Sequence, residues 1–96
     1  MKILKEEGRQ TGSGAFTESK VFDPAGNKIM PYRESSKTGN HWTDTFKLEE
    51  NIIYLVLVMD YSNSGKDNSN ARIEGGGDLS EVQKELKKKF EEEHRR

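Results

Sequence analysis

The 96-residue chain has no cysteine, two prolines and two histidines. The lack of cysteine and the small number of histidines exclude several kinds of covalent and metal site. Without cysteine, a disulfide framework and thiolate chemistry are excluded. The two histidines, His41 and His94, lie far apart in the sequence, and without cysteine they are too few for a structural zinc site. We therefore expect a domain that needs no metal, no cofactor and no disulfide.

An excess of charge of one sign is also lacking, because 16 Lys and Arg residues face 17 Asp and Glu residues. No segment has the one-sided charge of a nucleic-acid-binding arm or an acidic tail. The longest apolar run, residues 52–59, is far shorter than the roughly 20 residues of a membrane-spanning helix. The N-terminus lacks the apolar region of a signal peptide. These absences predict a cytoplasmic protein with no membrane association.

Apolar residues make up only 30% of the chain, against 34% charged residues. A chain of this length and polarity can bury one modest core. We therefore interpret residues 1–96 as a single domain. It would consist of a flexible N-terminal segment over 1–14, a β-rich core over 15–74 and a C-terminal helix over 78–94.

Strand signals begin at residue 15. Residues 15–22 predict a strand, and the Asp-Pro-Ala-Gly-Asn stretch at 23–27 predicts a turn. Residues 28–32 then predict a return strand, which completes a β-hairpin. Apolar and polar residues alternate from Trp42 to Leu48, with Asp44 as the exception on the apolar face, and this period of two predicts a half-buried strand.

The clearest strand signal is the run over 52–59, which is apolar at every position and rich in β-branched residues. Such a run predicts a central strand covered on both faces. One helix can cover only one face. The other cover must come from a second sheet layer or from a strongly curled sheet. Residues 71–74 can add a short edge strand.

The C-terminal part of the chain carries the signals of an amphipathic helix. Asp78 followed by Glu81 predicts a capping box at its start. One apolar stripe at helical spacing comprises Leu79, Val82, Leu86 and Phe90. The predicted fold is therefore α+β: a small curled antiparallel sheet or β-sandwich of about four to six strands, with one C-terminal amphipathic helix packed on it.

Motifs for metal binding or catalysis are incomplete. Residues 60–71 begin like a calcium loop, but Ala71 stands where the bidentate glutamate is needed. Glu91 and His94 have the spacing of half a di-metal carboxylate pattern, and the second half is missing. The hydroxyl, imidazole and carboxylate groups between residues 35 and 44 lack a nucleophile-elbow motif. We expect no catalytic residues, no metal ligands and no enzymatic activity.

Basic and aromatic side chains alternate between Lys28 and Lys47, and two interpretations of this stretch stay open. Aromatic residues pack in cores and dominate protein interfaces. They also stack on the bases of single-stranded nucleic acid while cations contact phosphates. The local excess of positive charge is small and provides little counterion release. Another protein is therefore the expected partner, with nucleic acid as the alternative.

The sequence thus predicts a small non-catalytic binding protein of the adaptor, inhibitor or immunity type, which acts through protein–protein contacts. The alternative function is a single-stranded nucleic-acid-binding β-sheet protein. Whether Trp42 lies in the core or at the surface stays open, as does the oligomeric state. The candidate partner-binding residues are Tyr32, Arg33, Lys37, His41, Trp42 and Tyr61.

Overall fold

The computed structural model describes residues 1–12, 14–61, 69–75 and 79–94. Within these ranges the chain forms seven strands and one helix. In chain order they are β1 (Lys2–Gln10), β2 (Phe16–Phe22), β3 (Lys28–Ile29), β4 (Tyr32–Ser35), β5 (His41–Leu48), β6 (Tyr54–Tyr61), β7 (Asn70–Glu74) and α1 (Glu81–His94). The strands form one antiparallel sheet in the order β4-β5-β1-β2-β6-β7, and β3 pairs with β2 outside this path.

The sheet curls, so that its β4-β5-β1 half lies over its β2-β6-β7 half. Phe46 of β5 and Val56 of β6 belong to one buried cluster, although three strand spacings, roughly 14 Å in a flat sheet, separate β5 from β6. The side chain of Arg72 on β7 likewise reaches Glu6 on β1. With α1 packed on the outside, this arrangement confirms the predicted α+β fold, and the strand count slightly exceeds the prediction.

Strand β6, which lies between β2 and the edge strand β7, is covered on both faces, as its apolar sequence predicts. Tyr54 and Val56 belong to the cluster between the two halves of the sheet. Leu55 and Leu57 alternate with them and belong to a second cluster, which lies under the helix. The two covers are therefore the opposite half of the sheet and α1.

Helix α1 packs on the second cluster mainly through Phe90, which is 6% exposed. Leu79 and Leu86 pack against the same cluster. Val82 is 44% exposed and lies at the side of the helix, next to Gly26 in the β2–β3 turn. The predicted apolar stripe is thus buried only in part, because the helix is rotated so that Val82 faces the turn.

The helix begins with a capping box formed by Ser80 and Gln83. The Ser80 hydroxyl accepts a hydrogen bond from the Gln83 amide at 3.2 Å, and the Gln83 side chain accepts one from the Ser80 amide at 3.1 Å. The buried Gln83 side chain also donates to the carbonyl of Ile53 at 3.0 Å. This box lies two residues after the predicted pair, of which Asp78 is outside the described residues and Glu81 begins the helix.

Residues 2–10 form the longest strand, which corrects the prediction of a flexible segment over 1–14. β1 pairs with β5 in continuous register from Lys2, opposite Leu48, to Arg9, opposite His41. Nine consecutive residues are therefore held in the sheet rather than free.

The predicted turn after β2 is confirmed. The Asp23 carboxylate accepts hydrogen bonds from the amides of Ala25 and Asn27 at 3.0 and 2.8 Å, and the bond from Asn27 lowers the pKa of Asp23. Gly26 has a φ of 87°, a left-handed conformation that favours glycine. The return strand is shorter than predicted and covers only Lys28–Ile29, because the chain then crosses to the other half of the sheet.

None of the helices among the described residues is long and apolar enough to cross a membrane.

Candidate functional site

A cleft of about 320 Å³ opens between the edges of β2 and β4, where the two halves of the sheet separate. We call it the β2–β4 cleft. The side chains and backbone that carry its chemistry are Glu18, Ser19 and Lys20 of β2, Arg33 of β4, and Asp44 and Phe46 of β5.

The cleft exists because two short pairings leave the middle of β2 open on one side. β1 pairs with β2 only at residues 16 and 17, and β3 pairs with it only at residues 21 and 22. Residues 18–20 are paired with β6 on the opposite side. On the cleft side, none of the described strands pairs with them.

Ser19 directs its backbone N–H and C=O into this gap. At one end of β2, Thr11 donates to the carbonyl of Ala15 at 2.8 Å, and at the other end Asp23 donates to the carbonyl of Asn27 at 2.9 Å. Along an antiparallel strand, the hydrogen-bonding side alternates with every residue. Ser19 therefore faces the same side as Ala15 and Asp23. It is only 8% exposed, and no strand within the described ranges satisfies these two groups.

Arg33 links the two walls of the cleft through charged hydrogen bonds. Its Nε and Nη2 donate to the two carboxylate oxygens of Asp44 at 2.7 and 2.9 Å, and Nη2 also donates to Glu18 at 2.8 Å. The hydrogen bonds that Arg33 donates to Asp44 and to Glu18 raise the pKa of Arg33, against the opposing effect of burial. Asp44 is 1% exposed, so this bidentate pair fixes the guanidinium between the two halves of the sheet.

Trp42 is sandwiched between Arg33 and Gly8. The guanidinium carbon of Arg33 lies 4.6 Å from the centre of the Trp42 ring, a cation–π contact. On the other side, a Cβ atom built on Gly8 would lie 1.9 Å from the indole Nε1. This nitrogen is buried and has no hydrogen-bond partner among the described residues. Trp42 is thus half-buried at the rim of the core. Its position is intermediate between the core and the surface, the two locations that the sequence left open.

Of the six predicted partner-binding residues, the structure places Arg33 and Trp42 in direct contact. Tyr32 is 65% exposed and lies on the opposite face of β4 from Arg33, because successive side chains alternate along a strand. Lys37 and His41 are exposed in and beside the β4–β5 turn.

Tyr61 lies apart from this group, on the helix side of the sheet. Its ring stacks on that of Phe16 at a centroid distance of 4.8 Å, and both residues border the cluster under the helix. Tyr61 therefore does not belong to the β2–β4 cleft.

Sequence reasoning missed the contribution of β2 to the site. The signal that could have found it is the position of Asp44, which interrupts the apolar face of β5. A buried carboxylate at such a position requires a cationic partner, and the structure supplies Arg33. Ser19 gave no comparable signal, because a serine within a strand is ordinary.

The charge of the cleft is slightly positive. Two further basic residues line it, Lys20 and Lys28, so that three basic residues accompany Glu18 and Asp44; Lys20 also borders the groove beside helix α1. Neither lysine forms a salt bridge within the described part of the chain. In the same ranges, no group of three or more histidine or carboxylate side chains is arranged to hold a metal ion.

Comparison of the chain with protein-family models, with curated proteins and with solved structures finds no match.

Proposed function

We propose that the protein is a small non-catalytic binding protein, of the adaptor, inhibitor or immunity type, and that its partner is another protein. The observation that carries this proposal is the exposed edge strand β4 beside the β2–β4 cleft. All four residues of β4 are exposed. Met30 and Tyr32, which flank the entry to this strand, are 76% and 65% exposed. Large exposed side chains of this kind are typical anchors of protein interfaces.

The pairing of the ionisable groups in the cleft favours binding over catalysis. A general acid or base needs to reach a substrate proton. The carboxylates of Asp44 and Glu18 are instead engaged by Arg33, which gives them a role in holding the two halves of the sheet together.

The same ion pairs make nucleic acid the second choice. Phosphate contacts require cations that can exchange their counterions for the ligand, and Arg33 is already held by two carboxylates. Base stacking requires an open ring face, and Trp42 is covered by Gly8 and Arg33. Of the candidate partner-binding residues, Tyr32, Arg33 and Lys37 are exposed, but the Arg33 guanidinium is held by Asp44 and Glu18.

Affinity capture from the native cell, with and without nuclease, tests this function. We expect a captured protein that resists nuclease and whose affinity varies little with salt. Tyr32→Ala should weaken its binding by about tenfold or more, as at interface hot spots. Ile3→Ala, which truncates a 50% exposed side chain on β1, is the matched control and should change the affinity little.

Two results would contradict the proposal. One is capture that nuclease abolishes. The other is micromolar or tighter binding to single-stranded DNA or RNA at physiological salt that Trp42→Ala removes without loss of fold.

A further inference from the structure

We infer that the β2–β4 cleft accepts an extended segment of the partner protein, which adds to the sheet through backbone hydrogen bonds to Ser19 of β2 and to Arg33 and Ser35 of β4. This inference rests on the proposed function, since it specifies how the protein partner is bound. It explains why the sheet leaves two strand edges unpaired beside the same cleft.

The first support comes from the free edge of β4. Ser36 donates to the carbonyl of His41 at 2.7 Å at the end of the β4–β5 hairpin. Because the hydrogen-bonding side alternates along the strand, Glu34 also faces β5. Arg33 and Ser35 therefore direct their N–H and C=O groups away from β5, where none of the strands in the described ranges pairs with β4.

The second support is the buried position of Ser19. Buried backbone groups without a partner are unfavourable, so nearly all of them are paired in folded proteins. The N–H and C=O of Ser19 face the cleft, where none of the described strands pairs with them, and the residue as a whole is 8% exposed, so a segment that fills the cleft without pairing would leave both groups without water. An added strand satisfies such groups directly, as in other complexes where an extended peptide joins a sheet edge.

The side chains that line the cleft specify the chemistry of the segment. Lys20 and Lys28 lie at its wall, and the excess of cations over carboxylates favours an acidic side chain. Met30, which is 76% exposed, offers an apolar contact at the same cleft. Since side chains alternate along an extended chain, the expected segment alternates acidic and apolar residues.

A second copy of this chain fits the β4 edge poorly. The two-fold arrangement that pairs Arg33 of one copy with Ser35 of the other places the two Glu34 side chains directly opposite each other. Like charges at directly opposed positions of a sheet are destabilising. The charge pattern of β4 therefore favours a different protein as the occupant.

Amide hydrogen exchange measured by NMR tests the inference on the full chain. The probe is an acetylated hexapeptide amide of alternating Glu and Val residues. The two comparison peptides have Lys in place of Glu, or N-methyl groups on alternate backbone nitrogens. We expect the Glu peptide to bind at least about tenfold more tightly than either comparison peptide. It should also slow the exchange of the amides of Ser19, Arg33 and Ser35.

A proline variant provides a second measurement. Ser35→Pro removes an amide that faces away from β5, so the β4–β5 pairing keeps its hydrogen bonds. It should weaken binding of the Glu peptide by about tenfold, while the matched variant Asn40→Ala, which truncates an uncharged, exposed side chain in the β4–β5 turn, should not. If Ser35→Pro does not fold, the exchange measurement on the unaltered chain decides.

Several outcomes would overturn strand addition. These are no binding of the Glu peptide, equal binding of the N-methylated peptide, or binding without slower exchange at Ser19. Slower exchange that depends on protein concentration without peptide would assign the edge to a second copy instead. A captured partner that leaves the Ser19 and Ser35 amides unprotected would overturn strand addition alone, whereas the lack of any nuclease-resistant partner would defeat the proposed function.

Discussion

The indole of Trp42 lies directly against the backbone of Gly8, so closely that a Cβ atom on Gly8 would fall 1.9 Å from Nε1. No side chain fits at this position unless the indole moves. Gly8→Ala should therefore displace Trp42 and lower the free energy of unfolding by about 1–3 kcal/mol. Because Trp42 is the single tryptophan, its fluorescence should shift to the red in the folded variant.

Gly12→Ala is the matched control for this prediction. A Cβ atom at Gly12 would have nothing within 4 Å, so the variant should keep the emission and the stability of the original chain. Equal stability of the Gly8 and Gly12 variants would show that the contact between the indole and Gly8 is not tight.

The packing of helix α1 predicts unequal effects of two truncations. Phe90→Ala should lower the free energy of unfolding by about 3–5 kcal/mol, because it empties a buried position over β6. Val82→Ala should cost under about 1.5 kcal/mol, since its side chain is 44% exposed. Urea unfolding measures both. Similar losses would mean that the helix is rotated relative to the packing described above.

The buried side chain of Gln83 joins the helix cap to the sheet, and its two functions can be separated. Gln83→Glu keeps the acceptor for the Ser80 amide but removes the donor to the Ile53 carbonyl. Gln83→Ala removes both and should cost about 1–3 kcal/mol. Thermal unfolding should show a loss in both variants and little change in Lys84→Ala, whose side chain is 57% exposed. If Gln83→Glu leaves the stability unchanged, the hydrogen bond to Ile53 contributes nothing to it.

The ion pairs between β1 and β7 predict acid sensitivity. Burial raises the pKa of Glu74, but hydrogen bonds from Arg72 and Lys2 outweigh it and hold that pKa below 4.5. The native state then binds fewer protons than the unfolded state, so this stabilisation is present above pH 4.5 and is lost as the pH falls through the lowered native pKa. The stability difference between the original chain and Glu74→Gln should be largest near neutral pH and should shrink below pH 4.5. If the stabilities of the two proteins differ by the same amount at every pH, the ion pairs of Glu74 are not the cause of the acid sensitivity.

Local patterns in the sequence were sufficient to predict the strands and turns that have the usual signals of β structure. Alternation identified β5, the β-branched run identified β6, and turn chemistry located the turn between β2 and β3. β1 was missed because its alternation is masked: Lys2 and Glu6 lie on the same face of the strand as Leu4, and they pair with Glu74 and Arg72 on the opposite half of the sheet. In the sequence, a charged residue whose ion-pair partner lies on a distant strand looks the same as a solvated one.

The helix cap and the cleft could not be predicted from the sequence, for different reasons. Asp78 with Glu81 and Ser80 with Gln83 have the same capping-box spacing, and only the tertiary bond of Gln83 to the sheet favours the second pair. The cleft depends on where β1 and β3 stop pairing with β2, which no local pattern specifies. Arg33 and Trp42 were therefore predicted as candidate residues, but their contact with each other beside the cleft was not predicted.

The pairing of β1 with β5 also has a consequence for the order of folding. The turn between β2 and β3 and the β4–β5 hairpin join neighbouring segments, whereas β1 must find a partner from which three other strands separate it in the chain. Non-local pairings of this kind are reached slowly, because a long loop has to close before any contact forms. Although β1 is synthesised before every other strand, we therefore expect its pairing with β5 to form late, and until it forms one edge of β5 is open to other chains.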